Sequence, residues 1–177
     1  MDTLRTMLAE PRSETAAGPT VLVVGDTYVA STVARALDAA VGVHLLTDDR
    51  GVAGHADGVP VWLAVDAEPD PEAAGVERRD DTSLHPGEIT DLAVLDASGA
   101  PDADVAVVAV GSDARSLLVA RLLRTEFETA EVVSVVEDPR SEETFERVVP
   151  ETVCVADLVA ATVTEALDER LSVARHA

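Results

Sequence analysis

Short apolar runs rich in β-branched residues recur along the chain and alternate with stretches of helical spacing, the pattern of a sheet interleaved with helices. VLVV begins at Val21 and stops at Gly25, and YVASTVARALDAA follows with helix-like apolar spacing, predicting strand, tight turn and helix. GVHLLTDD is a second strand ending in acid, and ADVAVVAVGSD a third, apolar on both faces. The next segment, ARSLLVARLLRTEF, places Leu117, Leu118, Leu122 and Leu123 on a helical stripe. AEVVSVVEDP repeats the strand design, SEETFERVV gives a short helix, and TVCVAD a brief strand. DLVAATVTEALDERLSVAR closes the chain as an amphipathic helix expected to dock on the core or on a partner.

The region from Arg50 to Gly75 is less regular. It mixes Gly, Pro and acid around one apolar run, VPVWLAV, and is read as an inserted strand or hairpin. GVERRDDTS then predicts a sheet strand, and PGEITDLAVLDASGA a loop plus a helix. Residues 1–19 lack periodicity and form a flexible N-terminal arm; residues 20–177 form one domain. Strands apolar on both faces and alternating with helices describe a parallel sheet covered on two sides. The right-handed crossover rule then selects an α/β fold with a doubly wound, mainly parallel, Rossmann-like sheet.

Charge narrows the function classes. The chain carries 34 acidic and 13 basic residues for a net charge of −21, and every basic residue is Arg. Such a surface repels itself in dilute buffer, whereas at ~1 M salt the Debye length falls to about 3 Å and the repulsion is screened. A halophilic, cytoplasmic protein is expected. Nucleic acid and anionic membrane surfaces are disfavoured as partners. No run approaches the ~20 apolar residues of a membrane helix, and the N-terminus lacks the apolar stretch of a secretory signal. The lone Cys154 sits between apolar neighbours and is read as a buried structural thiol. The absence of Lys excludes a short-chain dehydrogenase, a P-loop nucleotidase, a pyridoxal enzyme and a phosphorylated receiver domain, each of which depends on one.

Candidate chemistry concentrates in the first turn. Gly25, Asp26, Thr27, Tyr28, Val29 and Ala30 stand where a dinucleotide fold carries G-x-G-x-x-G, with Ala30 an accepted third residue and Thr27 in place of the second Gly. Asp48, with Asp49 beside it, ends the second strand at the position where such folds hold ribose hydroxyls. A nucleotide seat and a bare strand-to-helix turn both remain open on these residues. His44, His55, His85 and His176 lack metal spacing, and Ser31, Ser112 and Ser116 lack a base. No metal site and no catalytic residue are assigned, and an enzyme is not expected.

The run from Asp102 to Ala161 resembles the second half of the N-terminal domain of TrkA-type potassium-transport regulators, also called RCK or KTN domains. Gly111, Ser112 and Asp113 match its Gly-Asp-Asp-like loop, Asp138 and Pro139 its later strand end, and VCVADLVAA its final crossover. VLVVGDTYVASTVARAL resembles the opening strand and helix, and Arg79, Asp80, Asp81 and Thr82 resemble the family's Gly-Asp-Ala-Thr. The resemblance implies a nucleotide-sensing, NAD-binding or nucleotide-binding regulatory domain, with NAD(H) or ATP/ADP as ligand. By the same resemblance Gly25, Thr27 and Tyr28 lie at the phosphates, Asp48 at the ribose, Asp80 and Thr82 near the adenine, and Gly111, Ser112 and Asp113 face the cleft. It further implies a homodimer paired through the SLLVARLL helix, a membrane potassium transporter or channel subunit as partner, and a domain acting without a C-terminal ligand lobe. Where the family's later strand carries an Arg toward phosphate, this chain has Val135. The alternative is therefore a non-binding, vestigial Rossmann protein-interaction module, and a reductase or methyltransferase using the same turn is the third reading.

Overall fold

A computed structural model describes residues 18–66 and 81–175. Among the described residues, seven strands form one sheet: β1 (Thr20–Val24), β2 (Gly42–Thr47), β3 (Val61–Val65), β4 (Thr82–Pro86), β5 (Val105–Val108), β6 (Glu131–Val136) and β7 (Glu151–Cys154). Their order is β4-β3-β2-β1-β5-β6-β7, and every pair is parallel. The helices are α1 (Tyr28–Asp38), α2 (Arg50–His55), α3 (Leu92–Ala97), α4 (Asp113–Thr125), α5 (Glu142–Glu146) and α6 (Val155–Arg175). This is the α/β, doubly wound Rossmann-like architecture that the apolar runs predict.

Side-chain alternation along each strand divides the core into two layers. Val21, Val23, Leu45 and Val107 point to the face covered by Ala30 and Ala34 of α1 and by Val52 and Ala53 of α2. Leu22, Val24, Leu46 and Val108 point to the other face, covered by Val94 and Leu95 of α3, Val119, Ala120 and Leu123 of α4, and Phe145 of α5. Strand order reverses at β1, so the crossovers leaving β1 and β5 lie on opposite faces and a crevice opens between their carboxyl ends.

Several expectations are corrected. Residues 50–66 are built into the sheet rather than forming a hairpin: Val52, Ala53, Ala56 and Val59 are buried, and β3 pairs with both β2 and β4, while residues 67–75 of the expected insertion lie outside the described residues. The Gly and Pro residues there obscured an ordinary crossover whose helix is only six residues long. Of the strand expected in GVERRDDTS, Thr82 and Ser83 lie in β4, which runs on through Leu84 and His85 to Pro86, and residues 75–80 lie outside the described residues. As an edge strand, β4 is only half-buried and lacks the apolar run of its neighbours. On α4 the core-facing positions are Ser116, Val119, Ala120 and Leu123. Leu117 and Leu122 flank the core, and Leu118 is exposed. Among the residues of the closing helix whose burial is described, Val155 packs on the core and residues 156–168 are exposed, with Leu158, Val159, Val163 and Leu167 about half open to solvent. Apart from Gly18 and Pro19, the N-terminal arm lies outside the described residues. Cys154 is buried, and His44 packs its ring on Trp62 at 4.7 Å. No helix among the described residues is long and apolar enough to cross a membrane.

Candidate functional site

The β1–β5 crevice is built on a close backbone approach. The Gly25 amide donates to Leu46 O at 3.0 Å, and the Ala109 amide to Val24 O at 2.8 Å, which draws the ends of β1, β2 and β5 together. A Cβ on Gly25 would lie 2.3 Å from Ala109 O and 2.7 Å from Ala30 Cβ, so only glycine fits between β5 and the start of α1. The small Ala30 belongs to the same requirement. Thr27 is the N-cap residue of α1, but its hydroxyl donates to Ala109 O at 3.0 Å and leaves the first helical turn without a side-chain cap. Amides at an uncapped helix start attract anions.

An arginine organises the crevice. Arg115, in the first turn of α4, donates to Asp26 Oδ2 at 3.0 Å and to Asp48 Oδ2 at 2.5 Å. The other oxygen of Asp26 accepts from the Gly111 amide at 2.7 Å. The guanidinium is held above its already high ordinary value, first by the hydrogen bond to Asp48. Partial burial opposes this, and the fields of Asp48, Asp26 and Glu88 add to it. Arg115 therefore stays charged throughout any working pH range. A cation in a first helical turn faces the positive end of the helix dipole. Three carboxylates offset that cost.

The other expected site residues divide. Gly111 and Ser112 are exposed in the loop after β5, at the crevice. Asp113 turns instead toward β6, where its carboxylate accepts from the amides of Glu137 and Asp138 at 3.2 and 3.3 Å. It ties the start of α4 to the end of β6. Asp113→Ala is expected to lower stability by about 1–2 kcal/mol through these bonds and the helix dipole. Asp113→Asn should retain part of that, and a urea midpoint unchanged in the alanine variant would refute the tie. Tyr28 is exposed at the lip, its ring edge-on to His55 at 5.4 Å, and its hydroxyl lies over Gly51. Asp49, beside Asp48, caps α2 by accepting from the Val52 amide at 2.9 Å.

The two adenine-side expectations, Asp80 and Thr82, differ. Asp80 lies outside the described residues. Thr82 pairs with Val61 at the amino end of β4, so a strand length of roughly 13 Å separates it from the carboxyl edge. The segment that does emerge at that edge is Gly87, Glu88, Ile89 and Thr90, which repeats the Gly-acid-x-Thr pattern. Gly87 has φ +123°, and a Cβ there would meet Asp91 Oδ2 at 2.6 Å. The Asp91 carboxylate accepts from the Glu88 amide at 2.8 Å and fixes the acidic residue. Val135 is buried in the sheet, so the crevice draws its cation from α4. Sequence reasoning missed Arg115, whose partners Asp26 and Asp48 are distant in the chain.

The TrkA-N domain profile matches residues 56–156. Among solved structures, the Kef CTD of Shewanella denitrificans in AMP-bound form superposes with TM-score 0.58 at 18% identity, covering 84% of this chain and 79% of that one. The TrkA-N domain of inner membrane protein ybaL from Escherichia coli superposes with TM-score 0.59 at 14% identity, covering 84% and 96%. The GsuK channel bound to NAD matches with TM-score 0.50 at 16% identity, covering 84% of this chain but 24% of that one. No curated protein matches the sequence. At these identities the superpositions establish a shared fold.

Proposed function

Because this chain belongs to the TrkA-N domain family, we propose that it is a nucleotide-responsive regulatory domain of potassium transport. Its ligand is an adenine nucleotide or NAD(H) lying across the carboxyl ends of β1, β2 and β5. The observation that carries this reading is the crevice at the point of strand reversal, where Gly25 admits close backbone approach beside the uncapped start of α1 and Asp48 ends β2. In this placement the α1 amides and the Gly111–Ser112 loop face the phosphates, Asp48 faces the ribose, and Tyr28 offers an exposed aromatic edge at the lip. The Gly87–Thr90 segment takes the adenine-side place first assigned to Thr82. The AMP-bound Kef CTD and the NAD-bound GsuK channel share this fold and support the ligand class. The reading is regulatory and assigns no catalytic residue.

The partner in this proposal is a membrane potassium transporter or channel subunit on the cytoplasmic side. A homodimer would form through α6, which exposes Leu158, Val159, Val163 and Leu167, whereas the helix first considered, α4, exposes Leu118.

The test is thermal unfolding in molar KCl with NAD, NADH, AMP, ADP, ATP and S-adenosylmethionine. A ligand at 100 times its Kd stabilises by about 2.7 kcal/mol, roughly 5–10 °C for this chain length. A shift with a nucleotide is expected. A shift with S-adenosylmethionine alone would point to a methyltransferase, and no shift with any of them would refute the sensor. A second reading, an interaction module with a closed cleft, is favoured by one observation: Arg115 is already bridged by Asp26 and Asp48.

A further inference from the structure

Asp26 has the partners of a bound anion. Its two carboxylate oxygens take separate donors, the Gly111 amide and the Arg115 guanidinium, and it stands immediately before the uncapped start of α1. Backbone amide, guanidinium and helix amino terminus are together the donor set that recognises a phosphate. We propose that Asp26 is the specificity-determining residue of this crevice: its carboxylate occupies the seat of a ligand phosphate and must be displaced before a phosphorylated ligand can engage Gly111 and Arg115.

The inference rests on the reading of the crevice as a nucleotide site, and it adds a selectivity. While Asp26 and Asp48 hold Arg115, with Glu88 contributing to its field, the site presents one cation among three carboxylates. An incoming pyrophosphate then meets net negative charge. Molar salt does not remove this discrimination, because at ~1 M the Debye length of about 3 Å is no shorter than the contacts themselves. Ligands carrying the fewest phosphate charges to Gly111 are favoured, and di- and triphosphates are held off by Asp26.

Inorganic pyrophosphate is the probe, since it tests the seat without the nucleoside. Its binding would be measured by calorimetry in molar KCl for the unaltered chain, for Asp26→Asn, which keeps the shape and removes the charge, and for Asp26→Ala, which empties the seat. Affinity should rise at least 10-fold in Asp26→Ala and by less in Asp26→Asn, and the gain should vanish in Asp26→Ala/Arg115→Gln. Equal affinity in all forms, no binding to any, or a gain that survives the loss of Arg115 would overturn the proposal. Should the alanine variant fail to fold, the asparagine variant still reads the charge effect, and pyrophosphate binding there no tighter than in the unaltered chain would overturn it. Nucleotide binding by the unaltered chain without a gain in the variants would leave the sensor standing and remove Asp26 from it. A pyrophosphate gain in a chain that binds no nucleotide would do the reverse.

Discussion

Gly25→Ala is expected to destabilise the fold by about 3 kcal/mol or more, lowering the melting temperature by roughly 6–12 °C, and to abolish any nucleotide-induced shift. The added Cβ would sit 2.3 Å from Ala109 O, 2.8 Å from Ala109 C and 2.7 Å from Ala30 Cβ. None of these is the far end of a flexible side chain. Two belong to the backbone leaving β5 and the third is fixed by α1, so relief requires parting the strands at the crevice. That movement also stretches the bonds from Thr27 to Ala109 and from Gly111 to Asp26. Gly54→Ala is the control: it lies in α2 with open space around its Cβ and should be neutral or stabilising by up to about 1 kcal/mol. A Gly25→Ala melt within 1–2 °C of the parent, an effect below roughly 1 kcal/mol, would mean that the crevice is not built on this contact.

The sheet was legible because its central strands are buried on both faces. Val21–Val24 and Val105–Val108 need no side-chain pattern beyond continuous apolar, largely β-branched character, β6 departs from it at Glu131 and the buried Ser134, and the helices between the strands force parallel pairing. Legibility failed at the edge. β4 is half-buried, ends in Pro86 and carries Ser and His, so no apolar run marks it, and the Gly-acid-x-Thr segment at its carboxyl end stands out less than the charged residues before it. The first turn and Asp48 follow the carboxyl ends of β1 and β2, positions that local sequence fixes. Arg115 was not placed. Its role depends on Asp26 and Asp48, 89 and 67 residues away, and no local pattern encodes that convergence. Val135 leaves β6 without a cation, and Arg115 brings one to the crevice that Asp26 and Asp48 already bridge. The same holds for α6, whose amphipathic spacing predicts a buried face but cannot say what covers it.

Phe145→Ala separates the stability of the far sheet edge from the chemistry of the crevice. Phe145 is 1% exposed, one of the largest fully buried side chains, and belongs to the layer formed with Leu123, Val132, Val136 and Val149. Its helix, α5, has five residues and does not persist without tertiary packing. Its carbonyl also accepts from the amides of Val148 and Val149 at 2.8 and 2.9 Å, which turns the chain into β7. Removing the ring is expected to cost about 3–5 kcal/mol, roughly 6–20 °C. The loss should begin at α5 and β7, and α6 continues directly from β7, so hydrogen exchange there should accelerate before that of β1 and β2. The crevice lies at β1 and β5, two strands from β7 in the sheet. Ligand affinity measured well below the melting temperature should therefore stay within about 2-fold of the parent, since distant sites couple by only a few tenths of a kcal/mol. Loss of affinity with the fold intact would instead mean that the seating of α5 reaches the crevice. The Asp113 tie between α4 and the end of β6 is the path by which it would do so.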